Sequence, residues 1–230
     1  MSSRLFQRLN NVRRQGPSTT ALRASPYIKV EGLPRSITTG DLRRLCVKSK
    51  VENVANIGID YHRFAPTGTA YIALTQSDFV PSAVKNLRGS ILGGLRVKAN
   101  HSVPPDVQRR SRGVKGRAEA AERGLVTGEG LGAGVASCGK SVVVYGLPGK
   151  MTVDAMKAFL KIFNLAETDN GEQSVVKIEP TPGVFTLISK FLVRAANESE
   201  AQRIVRKVHN TLFQSDIWGD KYQVKARVLY

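Results

Sequence analysis

Thiols and imidazoles are scarce in this sequence: two cysteines, Cys46 and Cys138, and three histidines among 230 residues. That excludes a disulfide framework, and no spacing among them fits a metal site, so both cysteines are expected as small hydrophobes or loop residues. No apolar run approaches the roughly 20 residues that a spanning helix needs, which argues against membrane insertion. There are no paired carboxylates and no Cys/His couple of the kind that carries acid–base or nucleophilic chemistry. The expectation is therefore a non-enzyme with no cofactor and no small-molecule substrate. Acidic residues are few as well, 18 against 35 Lys and Arg, for a net charge of +17. Such a balance favours a polyanionic partner, nucleic acid before a membrane surface. Aromatics make up only 7% of the chain, with one tryptophan. A flat ligand would have few rings to rest on.

From Met1 to Pro26 no acidic residue occurs, while Arg4, Arg8, Arg13, Arg14 and Arg23 stand among Ser, Thr and Asn. Leu5, Leu9 and Val12 fall on one helical face. This is the composition of a mitochondrial transit peptide, with Arg23-Ala24-Ser25 as a processing neighbourhood and the matrix as the address. The alternative is a disordered basic tail on a nuclear or cytoplasmic protein.

Residues 27–101 cycle through strand, helix, strand, strand, helix, strand. Tyr27 to Pro34 opens the cycle. Thr38, with Asp41 three residues on, is placed to cap a helix that buries Leu42, Leu45 and Cys46. Val51 to Tyr61 is the second strand, with Ala55, Ile57 and Ile59 inward. Thr67 to Leu74 is the third, with Tyr71 on one face and Ala70 and Ile72 on the other. Ser77 or Asp78 is expected to cap a helix with Pro81 in its first turn. In the last strand Leu95, Val97 and Ala99 point inward, and Arg96, Lys98 and Asn100 outward.

The order βαββαβ and the two signature strands resemble the RNA recognition motif, an α+β, ferredoxin-like domain of four antiparallel strands with two helices on one face. In the third strand Gly68, Ala70, Tyr71 and Ile72 fit the family pattern, while Thr67, Thr69 and Leu74 depart from it. In the first, Ile28, Val30 and Leu33 fit, and Lys29 takes the place of a stacking ring. The resemblance implies single-stranded RNA on the open face of the sheet. Tyr71 would stack on a base, worth about 1–3 kcal/mol, with Lys29, Arg96 and Lys98 on phosphate. Alternatively, Tyr71 is a strand tyrosine packed under a linker or partner.

Residues 102–140 change character, with Pro104-Pro105, a basic cluster from Arg109 to Arg117 and a Gly-rich run, and are expected to form a flexible linker with no core. Helical turns over Ala118–Arg123 are the exception. Gly134 to Ser141 matches the spacing of a phosphate-binding loop, but coil precedes it and the β-branched run Val142-Val143-Val144 follows, where a strand and a helix belong. Nucleotide binding there is a remote alternative.

From 141 to 230 the cycle repeats, and Val142 to Pro148 echoes Ile28 to Pro34 position by position. Thr152 and Ser199 are the expected helix caps. Thr186 to Ala195 is the central strand, in a register that buries Phe191 and Val193 and turns Lys190, Leu192 and Arg194 outward. Val143 occupies the position of the first stacking ring. This second face is expected to be exposed and basic, with Lys190, Arg194, Lys225 and Arg227 as phosphate contacts that grip backbone without reading bases, or else to bind protein. The reading as a whole is a tandem RNA-binding protein of mitochondrial RNA metabolism and RNA processing. Its rival is an interaction component of a ribonucleoprotein, docking onto proteins through helices or Trp218.

Overall fold

The chain is described by a computed structural model covering residues 25–103, 105, 128–135, 139–166, 173–180 and 186–230. The expectations for residues 1–24, for Arg109–Arg117, for Ala118–Arg123 and for Cys138 lie outside the described residues.

Thr38 nucleates the first helix as its sequence position implies. Its hydroxyl accepts from the Asp41 backbone N–H (3.2 Å), and its own N–H donates to the Asp41 carboxylate (3.1 Å), a reciprocal capping box. The first unit then runs β1 (Tyr27–Glu31), α1 (Thr39–Lys48), β2 (Val54–His62), β3 (Ala65–Leu74) and α2 (Val80–Leu87). It continues through a small hairpin, β4 (Ile91–Leu92) and β5 (Leu95–Arg96), to β6 (Lys98–Ser102). The sheet order is β6-β1-β3-β2, antiparallel throughout, with a short fifth strand β7 (Gly130–Leu131) on the β2 edge. Ile28, Val30, Ile59, Ala70, Ile72 and Ala99 meet Leu42, Leu45, Val80 and Leu87 in the core.

The second unit runs β8 (Ser141–Pro148), α3 (Val153–Phe159), β9 (Val175–Ile178), β10 (Ile188–Arg194), α4 (Glu198–Val208), a single turn α5 (Ser215–Trp218) and β11 (Lys225–Leu229). Its order, β11-β8-β10-β9, repeats that of the first. Val142, Val144, Phe191, Val193 and Val228 pack on Met156, Leu160, Ala201 and Ile204. Phe191 and Val193 thus lie in this core while Leu192 faces the other way, as the expected register has it.

Local differences have local causes. A bulge after Val54 shifts the register of β2, so Val54 packs on the core and Ala55 is exposed. A 3₁₀ turn over Ser77–Phe79 leads into α2, and no side chain caps it. In α4 the cap is Asn197, whose side chain accepts from the Glu200 N–H at 2.8 Å, rather than Ser199. Leu95 and Arg96 belong to the hairpin, so the last strand begins only at Lys98.

The largest departure concerns the stretch expected to bury nothing. Gly130-Leu131 pairs with Asp60 and Tyr61 of β2, and Ala133 and Val135 are buried in the first core. The tip of the β2–β3 hairpin is tied to the same stretch. The Phe64 N–H donates to the Gly128 carbonyl (2.9 Å), and the Arg63 N–H to the Glu129 carboxylate (3.2 Å). Arg63 and Phe64, the two-residue turn, both have positive φ, 51° and 65°. Asn-Gly is the usual choice for such a turn. Two side chains held there cost about 1–3 kcal/mol each, which the surrounding contacts must offset. No described helix is long and apolar enough to cross a membrane.

Candidate nucleic-acid interface

Alternation along the strands puts one row of side chains from each strand of the first sheet on the side away from α1 and α2. Tyr71 of β3 sits between Lys29 of β1 and Gly58 of β2, with Asn100 of β6 beyond Lys29. One row along, toward the Pro34 end of β1, Glu31 pairs with Thr69 and with Lys98. The row on the other side holds Tyr27, Ala73, Ser102 and Asn56. Asn56, Lys98 and Asn100 are exposed and Tyr71 is half-buried. Tyr27 is the diagonal neighbour of Tyr71 on this face, a second ring within reach of the same ligand that the motif comparison did not register.

Charge on this face is balanced. Lys29 Nζ lies 2.6 Å from Glu31 Oε1. That hydrogen bond to Glu31 raises the lysine pKa, with burial acting against it. Burial raises the Tyr71 pKa, Lys29 lowers it, and the Asp60 and Glu31 carboxylates raise it again. Asp60 accepts from the Thr67 hydroxyl at 2.9 Å. Leu131 stands over Gly58: a Cβ added there would lie 3.1 Å from Leu131 Cδ2. The residue missing between Tyr71 and the sheet edge is thus replaced by a side chain from β7. Arg96 is exposed in the hairpin, opposite Ile91, and is not on β6 with Lys98. Its carbonyl presses on Gly32, at φ 80°, where a Cβ would come within 2.7 Å.

The second sheet face is not open. Val143 and Leu192, 1% and 0% exposed, lie with Val176, Ile178 and Leu229 in the same buried cluster as Tyr61, Phe64, Ala133 and Val135 of the first unit. The Tyr230 N–H donates to the Tyr61 hydroxyl at 2.9 Å. Lys190 faces that junction, its Nζ 5.5 Å from the Phe64 ring centroid and 5.9 Å from that of Tyr145. Burial, and secondarily Arg63, lowers its pKa. Arg194 is 5% exposed. The expected exposed basic face is corrected accordingly: of its four cations, Lys225 is exposed and Arg227 partly so, while Lys190 and Arg194 line a covered surface. The signal was present in Val143, Val176, Leu192 and Leu229. A half-solvated antiparallel sheet alternates apolar with polar residues, and here both faces carry apolar ones.

Ser141 opens β8 directly after a turn at Gly139-Lys140, so a strand stands where a phosphate-binding loop requires a helix. Trp218 packs edge-on against Tyr222 at 5.3 Å, with Lys221 over both rings. It stays 40% exposed beside Ile217, 70% exposed.

No family model matches the sequence, and no curated protein matches it. Among solved structures, the chain is similar to the Sex-lethal RNA recognition domains 1 and 2 from Drosophila melanogaster, at 16% identity over 89% of this chain and 99% of that one, TM-score 0.31. It is similar to the three N-terminal RNA-binding domains of the yeast splicing factor Prp24 at 13% identity, 90% of this chain and 66% of that one, TM-score 0.29. A third similarity is to the Rna15 RRM, at 24% identity over 35% of this chain and 92% of that one, TM-score 0.31. The strand order found twice in this chain, each sheet backed by two helices, is itself the ferredoxin-like βαββαβ arrangement, and the chain is a tandem of two such α+β domains resembling the RNA recognition motif.

Proposed function

We propose that this protein binds single-stranded RNA, without chemistry, on the sheet face of its first domain. The observation that carries the reading is the half-exposed Tyr71 ring at the centre of that face, with Tyr27 diagonal to it and Lys98, Asn56 and Asn100 exposed around it. Unstacked bases find on such a surface a π-face and a surround of donors and acceptors. The second domain contributes phosphate contacts from Lys225 and Arg227 at its β11 edge rather than a second stacking face. The overall charge of +17 adds salt-dependent attraction to the backbone. The acid-free, arginine-bearing first 26 residues support a place in mitochondrial RNA metabolism.

The test is binding of the full chain to random single-stranded RNA at two salt concentrations, beside Tyr71→Ala and a Lys29→Ala/Lys98→Ala pair. Affinity that falls with salt and with Tyr71→Ala is the expected result; no affinity in the wild type would sink the proposal. A reporter fused to residues 1–26 tests the address, and a cytosolic reporter rejects it. Ile217 and Trp218, exposed on one turn, favour a second reading as a protein-docking component. Failure to bind RNA, together with loss of a ribonucleoprotein association in Trp218→Ala, would select that reading.

A further inference from the structure

The two ends of the Tyr71 ring meet different chemistry. Toward one end lie Tyr27, Ala73 and Asn56; toward the other, Glu31 and Asp60 stand on the strands either side of Thr69. Each carboxylate has an oxygen engaged, Glu31 Oε1 with Lys29 Nζ at 2.6 Å and Asp60 Oδ2 with the Thr67 hydroxyl at 2.9 Å. A carboxylate has about four acceptor sites, so both retain capacity directed by these fixed contacts. Between Glu31 and Asp60 phosphate is repelled and a base edge that presents N–H groups is attracted, while Lys98, opposite Glu31 on its outer side, brings a cation to the β6 edge of the row. Leu131, over Gly58, closes the β2 side with an apolar wall.

We propose, resting on the RNA reading above, that this face selects guanine: the base stacks on Tyr71 and turns its N1–H and N2 amino group toward Glu31 or Asp60, while Lys29 donates to O6. Guanine is the base whose Watson–Crick edge offers two adjacent donors, the complement of one carboxylate. Uracil offers a single N–H beside two carbonyls, which the carboxylates oppose. The Lys29–Glu31 pair therefore acts as a donor–acceptor reader, and phosphate contact passes to Lys98 at the β6 edge.

The experiment uses the full chain and eight-nucleotide RNAs, identical except for G, inosine, A, C or U at one central position, with affinity read by fluorescence anisotropy. The expected preference for G over U is about tenfold, from the discrimination a well-placed bidentate base contact supplies. Inosine, lacking the N2 amino group, falls between them. Glu31→Gln and Asp60→Asn, tested singly and together, retain binding and lose the G preference, whereas Tyr71→Ala loses affinity for all five oligomers. Equal affinity for G and U, or a G preference that survives the Glu31→Gln/Asp60→Asn pair, overturns the base assignment and leaves RNA binding standing. No binding to any of the five overturns both.

Discussion

The backbone N–H of Tyr230 donates to the hydroxyl of Tyr61, 169 positions earlier, at 2.9 Å. One residue belongs to the hairpin of the first domain and the other follows the last strand of the second, so the bond spans their junction. Tyr61 is 2% exposed, which makes the bond one that water does not replace. Tyr61→Phe is expected to cost about 0.5–1.5 kcal/mol, and Tyr61→Ala about 3–5 kcal/mol because a ring-sized cavity opens as well. Urea denaturation checks both.

Gly128 packs closely under the Phe64 ring at the hairpin tip of the first domain. A Cβ there would lie 2.4 Å from the Phe64 ring, at a φ of 74°. Gly128→Ala is expected to destabilise the chain by about 1–3 kcal/mol, from overpacking and from the strained backbone. Adding Phe64→Leu should recover part of that loss, and a double-mutant cycle measures the recovery.

Lys190 gives the junction a pH dependence. Its pKa is lowered in the folded chain, so between that lowered value and the ordinary 10.5 the unfolded chain binds more protons. Stability should therefore rise with pH across that window. Lys190→Met removes this rise. The stability difference between wild type and Lys190→Met, followed by thermal unfolding from pH 8 to pH 10.5, is the check.

Cys46 moves the other way. Burial pushes its thiol up to about 11, so above pH 9 the folded chain keeps a proton that the unfolded chain releases, and stability falls as pH rises toward 11. In a Cys138→Ser background, iodoacetamide at pH 8 should modify Cys46 at the rate of unfolding. Fast modification under native conditions would contradict its burial.

Replacing the ring of Tyr71 tests how the sheet face binds. Tyr71→Phe keeps a stacking surface and is expected to bind RNA within about threefold of wild type, whereas Tyr71→Ala loses about 1–3 kcal/mol. Filter binding at fixed salt separates the two.

The repeated βαββαβ order was legible because each segment has its own period and its own caps: Thr38 with Asp41, Thr152, and the clean alternation from Tyr222 to Val228. The placement of Tyr71 on the open face followed from strand alternation alone. The ion pair of Lys29 was out of reach, since it depends on Glu31 lying two residues along the same face and on a rotamer that the motif comparison ignores. The docking of the second sheet was hidden for another reason. Val143 registered only as a missing aromatic, although an apolar residue in that position, with Leu192 beside it, announces a covering partner. Ala133 and Val135 escaped notice because glycines surround them, and glycine-rich composition argues for coil whether or not its few apolar residues are buried.

The strand at Gly130-Leu131 changes what joins the two domains. By composition the connection spans 39 residues, but Val135 is already fixed in the first core and Ser141 already begins the second sheet. In sequence only 136–138 separate Val135 from Gly139, whose N–H already donates to the Leu229 carbonyl of the second domain. A connection that short holds the second sheet near its docking site at an effective concentration in roughly the millimolar range, so an interface too weak to hold two separate proteins together suffices here. It follows that a chain cut between 106 and 127 should keep both pieces associated through β7 pairing, whereas a chain cut within 136–138 would make the association of the two domains depend on dilution.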